Sequence, residues 1–305
     1  MLRASIDIGS NSVLLLIGDV TENGIEEISD TSIITGLGRN LDSSGKFTKQ
    51  AMLDTIDAFK EFKTILKKYD IESSEVLVTA TEASRVASNS EDFFTEVRKK
   101  FGFIVKIISG EGEAYYTARG VTLSTTTEDG EDDVIMDVGG ASTELILVKS
   151  KPFKVRKTVS LPVGSVRAQD WIDEGKFQEK MDEILKKNDL SNYKTKSIIG
   201  VAGSMTSLGG MMKGLTSFEG KKINKQKIVF SEFCDFTDKI LTMEKQDLHE
   251  QYPFLGKRTR TIGAGARVAR ALGLSLGVET LEISTYGLRH GTLYEGSIDE
   301  RFTRK

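Results

Sequence analysis

The chain has 305 residues, 38% hydrophobic and 29% charged, a composition typical of a globular protein long enough for two domains. Its net charge of −3 argues against general nucleic-acid binding, and one cysteine with two histidines excludes an internal disulfide and a cysteine zinc site and argues against histidine-based catalysis. No signal peptide or membrane-spanning stretch is seen near the N-terminus, so we expect a cytoplasmic protein without a membrane partner.

The first half of the chain alternates predicted strands and helices. It opens with a strand–turn–strand hairpin whose turn, residues 7–12, reads DIGSNS. Helix caps and apolar periodicity then predict the remaining elements. These are a helix capped by Thr48, a buried strand over residues 76–79, a helix capped by Ser90 and stopped by Gly102, a strand over residues 104–108, and a helix over residues 113–119.

The second half repeats this order after a polar, acidic segment at residues 124–133, which we interpret as a boundary loop. A second hairpin carries the turn DVGGASTE at residues 137–144. Strand–helix alternation across both halves predicts an α/β architecture with largely enclosed sheets. Further predicted features are helices over residues 177–185 and 230–241, a strand at 198–199 followed by a glycine turn that opens a helix, a lysine-bearing loop over 213–227, and late glycine turns at 262–266 and 283–291.

The two aspartate–glycine turns are the main functional signal. Glycine lets backbone amides approach a ligand, so such a turn can bind phosphate oxygens, and the aspartate can hold a hard cation beside it. Neither turn has the lysine of a Walker-type loop. Either turn alone could equally be an ordinary hairpin turn. Because Asp7 and Asp137 each open one half of the chain, a duplicated unit would bring both turns to one cleft.

Five segments together resemble the exopolyphosphatase and guanosine pentaphosphate phosphohydrolase family, in a short form without the C-terminal helical extension. The matches run in family order from about Ile6 to Leu293. The segments are the two turns, TEASRVASN at residues 81–89, ISGEGEA at residues 108–114, and Ser284 with GLRHG at residues 287–291.

The resemblance implies two ribonuclease H-like domains of the actin, sugar-kinase and heat-shock ATPase type, with a cleft between them. The N-terminal domain would comprise residues 1–123 plus 287–305, and the C-terminal domain residues 124–286. It further implies the release of terminal phosphate from inorganic polyphosphate, guanosine pentaphosphate or both, and so a link to the stringent response. Guanosine tetraphosphate is a further expected partner, and a homodimer is left open.

The resemblance also assigns roles to residues. Glu113 falls at the position of the general base, with Glu111 as the competing carboxylate, and Arg85 would pair with a phosphate as a planar fork. Mg²⁺ or Mn²⁺ would be held by up to three carboxylates, with phosphate oxygens completing the shell. The expected metal ligands are Asp7, Asp137 and Glu144, and the expected phosphate-binding residues are Ser10, Asn11, Ser12, Gly139, Gly140, Ser142 and Thr143.

Two departures and two alternatives accompany this interpretation. Gly36 stands where relatives often have an arginine, with Arg39 as a candidate replacement, and Ala141 stands where a third glycine is usual. An ATP-dependent phosphotransferase of the same fold would need an acceptor pocket with its own base. A non-catalytic nucleotide-binding regulator would have little use for a water-activating carboxylate, so the presence of all four acids, Asp7, Glu113, Asp137 and Glu144, speaks against it. Candidate polyanion contacts are Lys213, Lys221, Lys222, Lys225, Lys227, Arg258, Arg260, Arg267 and Arg289, although the lysines could equally form a solvated loop.

Overall fold

The structure, a computed structural model, describes residues 1–22, 24–125 and 131–304. The chain divides into two compact units, one formed by Met1–Leu123 with Gly287–Lys305 and the other by Ser124–Tyr286. Part of the predicted boundary loop, residues 126–130, lies outside the described residues. Across the described ranges, no helix is both long enough and apolar enough to cross a membrane.

The first unit is built on a five-stranded mixed sheet with the strand order β3-β2-β1-β4-β5. Strands β1, β2 and β3 form an antiparallel meander, and β4 and β5 run parallel to β1. This order is that of a ribonuclease H-like unit. The strands are β1 (Leu2–Ile8), β2 (Ser12–Thr21), β3 (Gly24–Ile34), β4 (Leu77–Ala80) and β5 (Val105–Ile107).

Helices cover this sheet because alternate strand residues carry apolar side chains. Ala4, Ile6 and Ile8 of β1 belong to a core that includes residues of the helices that follow β3 and β4. On the other face, the Ser5 hydroxyl donates to the Arg289 carbonyl in the last helix. The helices of this unit are α1 (Leu41–Ser44), α2 (Lys49–Lys67), α3 (Glu82–Val86), α4 (Ser90–Phe101), α5 (Gly110–Thr122) and α13 (Leu288–Glu295), with 3₁₀ turns at Ser73–Glu75 and Glu300–Phe302.

The second unit repeats the same sheet and adds one strand. Its six strands lie in the order β10-β11-β9-β6-β7-β8, in which β6, β7 and β8 form the meander and β9 and β11 run parallel to β6. The extra strand β10 pairs antiparallel with β11 at the edge. The strands are β6 (Asp132–Val138), β7 (Thr143–Lys149), β8 (Lys154–Leu161), β9 (Ser197–Val201), β10 (Gln226–Val229) and β11 (Thr280–Ile283).

One large apolar core fills the second unit. It joins Val134, Met136 and Val138 of β6 to buried residues of the helices that follow β9 and β10. The predicted α/β class with two ribonuclease H-like sheets is therefore confirmed. The helices are α6 (Ser165–Asp173), α7 (Phe177–Lys187), α8 (Ala202–Met212), α9 (Gly220–Ile223), α10 (Phe230–Leu241), α11 (Lys245–Gln251) and α12 (Ile262–Leu276), with 3₁₀ segments at Ser191–Tyr193 and Pro253–Arg260.

Three local predictions were wrong. Residues 262–266 are not a glycine turn but the first part of α12. The segment 213–227 is not one loop, since it contains α9 and the start of β10. Helix α4 begins at Ser90 itself, so the cap position belongs to Asn89.

Candidate functional site

The two aspartate–glycine segments form hairpin turns with the same backbone geometry. In each, four residues connect the last paired positions of the two strands, Ile8 with Val13 and Val138 with Thr143. The first glycine closes each turn in the same way: the Gly9 amide donates to the Ser12 carbonyl at 3.0 Å, and the Gly139 amide to the Ser142 carbonyl at 3.0 Å. The predicted strand–turn–strand motifs are therefore present in both units.

In the first unit, the loop after β3 holds the turn by its carbonyl groups. The amides of Thr35 and Gly36 both donate to the Asn11 carbonyl, at 3.0 and 2.9 Å, and the Gly38 amide donates to the Ser10 carbonyl at 2.7 Å. Within the described part of the chain, the amides of Ser10 and Asn11 donate to no protein atom. The turn thus has fixed carbonyls and two amides that can bind an anion.

In the second unit, amides at the N-terminus of α6 bind the carbonyls of the turn. The Ser165 amide donates to the Gly139 carbonyl at 2.8 Å. The amides of Val166 and Arg167 donate to the Gly140 carbonyl, at 2.8 and 3.2 Å. First-turn amides of a helix have no intrahelical partner. At the start of α6, the carbonyls of the second hairpin turn accept their hydrogen bonds.

The contact between α6 and this turn is tight. A Cβ atom added to Gly164 would lie 2.5 Å from the carbonyl carbon of Gly140 and 2.7 Å from the nitrogen of Ala141. The Arg167 guanidinium also donates to the Ala141 carbonyl, at 2.6 Å. Over the described ranges, no protein acceptor binds the amides of Gly140, Ala141 or Ser142. In both turns, therefore, hydrogen bonds to the carbonyls fix the backbone, and several amides have no acceptor among the described protein atoms.

The carboxylates differ between the two turns. Asp137 and Glu144 lie directly opposite each other on β6 and β7, and cross-strand partners share one face of a sheet. Asp7 occupies the place of Asp137 in the first unit, but its partner is Leu14. Glu144 is 1% exposed, and its Oε1 accepts a hydrogen bond of 2.7 Å from the Ser160 hydroxyl. In these described strand pairs, a carboxylate pair thus lies at the turn of the second unit, whereas the first has an aspartate opposite a leucine.

Other predicted phosphate-binding side chains are largely enclosed. Ser10, Ser142 and Thr143 are buried, whereas Asn11 and Ser12 are partly exposed. The Thr143 hydroxyl donates to the Val163 carbonyl at 2.6 Å. This hydrogen bond therefore fixes the segment that leads into α6.

Glu113 lies in the first turn of α5, where the positive end of the helix dipole favours an anion. Ser109 caps this helix, because its hydroxyl accepts a hydrogen bond of 3.1 Å from the Gly112 amide. Glu113 itself is 9% exposed, whereas Glu111 in the same turn is exposed. The helix end thus fixes the backbone of one enclosed carboxylate.

Arg85 binds this carboxylate and a second one. Its Nη1 donates to Glu113 Oε2 at 2.9 Å and to the Ile108 carbonyl at 2.8 Å. Its Nε and Nη2 both donate to Glu82 Oε2, at 3.1 and 2.8 Å. Burial lowers the pKa of Arg85, but the charges of Glu113 and Glu82 outweigh it, so its pKa is raised above the ordinary value. The structure therefore shows Arg85 orienting Glu113, and its pairing with a phosphate stays a prediction.

Arg258 is partly buried beside the N-terminal half of α8 in the second unit. Its Nη1 donates to the Ser207 hydroxyl at 3.0 Å, and its guanidinium lies over Gly203. Across the described residues, no carboxylate forms an ion pair with it. Burial lowers the pKa of Arg258 to about 10. A partly buried guanidinium without a carboxylate partner among the described residues can bind an anion.

Sequence reasoning missed the groups that hold the turns from behind. These are the amides of residues 35–38, in a loop of which the sequence had indicated only Gly36 and Arg39, and the α6 N-terminus with Gly164. Sequence reasoning also missed Ser160, whose hydroxyl binds the Glu144 carboxylate. The period-2 alternation of strands could have indicated Ser160, since it lies opposite Glu144 on β8. The other contacts join segments far apart in sequence and leave no local pattern.

Comparison with known proteins adds to this geometry. The model of the Ppx/GppA phosphatase family matches residues 16–299. The chain is 28% identical to the bifunctional 3-dehydroquinate synthase/phosphatase of Fusobacterium nucleatum, over 97% of the chain and 46% of that relative. It is 25% identical to exopolyphosphatase 2 of Mycobacterium tuberculosis, over 94% of the chain and 96% of the relative.

A third relative carries a different substrate in its name. The chain is 24% identical to the guanosine-5'-triphosphate,3'-diphosphate pyrophosphatase of Aeromonas hydrophila, over 96% of the chain and 59% of the relative. Among solved structures, the Aquifex aeolicus member of the Ppx/GppA family matches with a TM-score of 0.76 at 27% identity, over 97% of both chains. The chain thus spans less than two thirds of some relatives and nearly all of others.

Proposed function

Because the chain belongs to the Ppx/GppA phosphatase family, we propose that it hydrolyses terminal phosphoanhydride bonds and releases phosphate. The proposed substrates are inorganic polyphosphate, guanosine pentaphosphate or both, in line with the names of the relatives. In the reaction, water attacks the terminal phosphorus, the bond from that phosphorus to the bridging oxygen breaks, and one phosphate is released. The polyphosphate or nucleotide substrate is left one phosphate shorter. The cytoplasmic location remains a prediction from the sequence.

The observation that carries this proposal is the paired geometry of the two turns. In each, amides of a neighbouring segment bind the carbonyls of the turn, and amides of the turn itself have no acceptor among the described protein atoms. Oriented amides of this kind bind phosphate oxygens at no reorganisation cost, which is the main requirement of phosphoryl transfer. An ordinary hairpin turn does not need a helix N-terminus, or a loop such as residues 35–38, to bind its carbonyls.

Glu113 is the proposed general base. A base must be held in place and must reach the attacking water, and Glu113 is fixed by the α5 backbone and by Arg85. The Arg85 link to Glu82 fixes the guanidinium in turn. Glu113 would accept a proton from the water as its oxygen approaches phosphorus. The enclosed position of the carboxylate limits its exchange with bulk water.

A divalent cation fits the donor set. Asp137 and Glu144 are hard oxygen donors on one face of the sheet, and Asp7 is the corresponding donor of the other turn. Among the residues that the structure describes, no three acidic, histidine or cysteine side chains form a metal cluster. Mg²⁺ commonly takes one or two carboxylates plus phosphate oxygens, so the pair suffices. When bound, Mg²⁺ or Mn²⁺ would neutralise charge on the phosphates.

The test compares two glutamates of one helix turn. Phosphate release from polyphosphate and from guanosine pentaphosphate is measured with Mg²⁺ for the parent, Glu113→Gln and Glu111→Gln. Loss of a general base lowers kcat by about 10²- to 10⁴-fold, so we expect this loss for Glu113→Gln only. Tripolyphosphate binding should persist in both variants, since neither removes an amide of the turns.

Two outcomes would overturn the proposal. Parent-like turnover by Glu113→Gln would remove Glu113 from the base role. Absence of phosphate release from both substrates by the parent would exclude the hydrolase, and transfer of label from ATP to an acceptor would then identify the phosphotransferase. Binding of guanosine tetraphosphate without any turnover would identify the regulator.

A further inference from the structure

The loop after β3 brings one arginine close to the first turn. Thr35, Gly36 and Gly38 donate amide hydrogen bonds to the carbonyls of this turn. A Cβ atom on Gly38 would lie 2.7 Å from the Cβ of Ser10, so the loop and the turn touch through their backbones. The backbone of Arg39, the next residue, is therefore held beside the turn, and its amide donates to the Gly36 carbonyl.

The Arg39 side chain folds back over Gly36. Gly36 has a φ of +68°, in the left-handed region that favours glycine. A Cβ atom there would lie 2.6 Å from Arg39 Nε and 2.9 Å from Arg39 Cζ. A side chain at position 36 would thus displace the guanidinium. The glycine both permits the turn of the loop and leaves room for Arg39.

Arg39 lacks the protein partners that other arginines of this unit have. Arg85 binds two glutamates, Arg119 binds Glu295, and Arg289 binds Asp30. Arg39 is partly buried, and within the described ranges its guanidinium forms no hydrogen bond or ion pair with the protein. A guanidinium provides five donors in a planar fork that matches phosphate geometry. Its place over Gly36, in the loop that binds the Ser10 and Asn11 carbonyls, puts a cation beside the first turn and favours an anionic ligand.

We propose that Arg39 binds a phosphate group of the substrate at the first turn and thereby contributes to substrate affinity. This inference rests on the proposed function for the identity of the substrate. The chemical class it predicts is a chain of phosphates, since the guanidinium adds charge and donors at the loop that binds the first turn. Arg39 acts on binding rather than on the proton transfer assigned to Glu113.

The test separates binding from turnover. Arg39→Gln should raise KM for polyphosphate on the order of 10-fold and change kcat less than about threefold, because a charge-assisted bidentate contact is lost. Arg39→Lys keeps the charge without the fork and should fall between. Arg98→Gln, an exposed arginine of the same unit, should leave both constants unchanged. Tripolyphosphate affinity, measured in the Glu113→Gln background, should fall with Arg39→Gln by the same factor as KM rises.

A second variant tests the Gly36 contact. Gly36→Ala should displace the Arg39 guanidinium and raise KM in the same way, and its combination with Arg39→Gln should add little, since residues in contact are not additive. An Arg39→Gln variant with parental KM, or with lowered kcat and lowered thermal stability at parental KM, would overturn the assignment while the proposed function stands. If the parent releases no phosphate but Arg39→Gln still weakens tripolyphosphate binding, the proposed function fails and the anion site remains.

Discussion

Gly164→Ala should disable the second turn without touching a charged group. The new Cβ would lie 2.5 Å from the Gly140 carbonyl carbon, while ordinary van der Waals contacts begin at 3.4 Å, a deficit of 3.4 − 2.5 = 0.9 Å. The neighbour is backbone, which cannot rotate away as a flexible side chain can. Either the turn moves or α6 withdraws. Both changes break the hydrogen bonds that the Ser165 and Val166 amides donate to the carbonyls of the turn.

The size of the effect follows from this displacement. A misplacement of about 1 Å at a reacting group costs on the order of 10²-fold in rate, so we expect kcat/KM for phosphate release to fall by about that factor. Overpacking a tight contact also costs about 1–3 kcal/mol of unfolding free energy. Steady-state phosphate release and urea unfolding measure the two quantities separately.

A glycine of the same unit provides the control. A Cβ on Gly220 would meet its nearest atoms at 3.7 and 3.9 Å, an ordinary contact, so Gly220→Ala should keep parental kcat/KM. If Gly164→Ala also keeps kcat/KM within twofold of the parent, the tight contact with Gly140 does not position the turn, and the reasoning is refuted.

Two further predictions concern stability. Gly120→Ala would place a Cβ 2.0 Å from the Gly287 carbonyl oxygen, so it should lower the unfolding free energy by about 3 kcal/mol or more in urea titrations, whereas Gly110→Ala, with no atom within 4 Å, should have little effect. Burial lowers the pKa of His290 below its ordinary 6.5 despite the hydrogen bond to Glu27, so the unfolded chain binds the proton more readily. Stability from this residue is complete above pH 6.5 and is lost as the pH falls below it; unfolding titrations from pH 7.5 to 5 should show this slope, and an equal slope in His290→Gln would contradict the assignment.

The hairpin turns could be predicted because their signals are local. An apolar run, an aspartate, a glycine and small polar residues fall within eight positions, and turn chemistry depends on such neighbours. The helix end at Gly102 was predicted for the same reason, and the glycine has a φ of +85° there. Sequence alone could therefore locate the candidate phosphate-binding backbone and the helix tip that carries Glu113.

Glycines inside α12 show why other elements could not be predicted. Residues 262–266 look like a turn because glycine is the strongest turn signal, yet these glycines serve packing. A Cβ on Gly265 would lie 2.9 Å from Ser204 Cβ, and one on Gly273 would lie 2.1 Å from the Phe230 ring. A glycine selected for close approach between helices leaves the same letter in the sequence as one selected for a left-handed turn. Only the tertiary neighbours distinguish the two.

The two turns share their backbone but not their chemistry. In both, the first glycine amide donates a hydrogen bond across the turn, and amides that follow it have no protein acceptor among the described residues. Among the described strand pairs, the second turn has the carboxylate pair, whereas in the first unit Leu14 takes the position that Glu144 has in the second. The first unit instead carries Glu113, oriented by Arg85. The two units thus add different groups to the shared turn: a cross-strand pair of hard oxygen donors in the second, and in the first a carboxylate on α5 that an arginine holds.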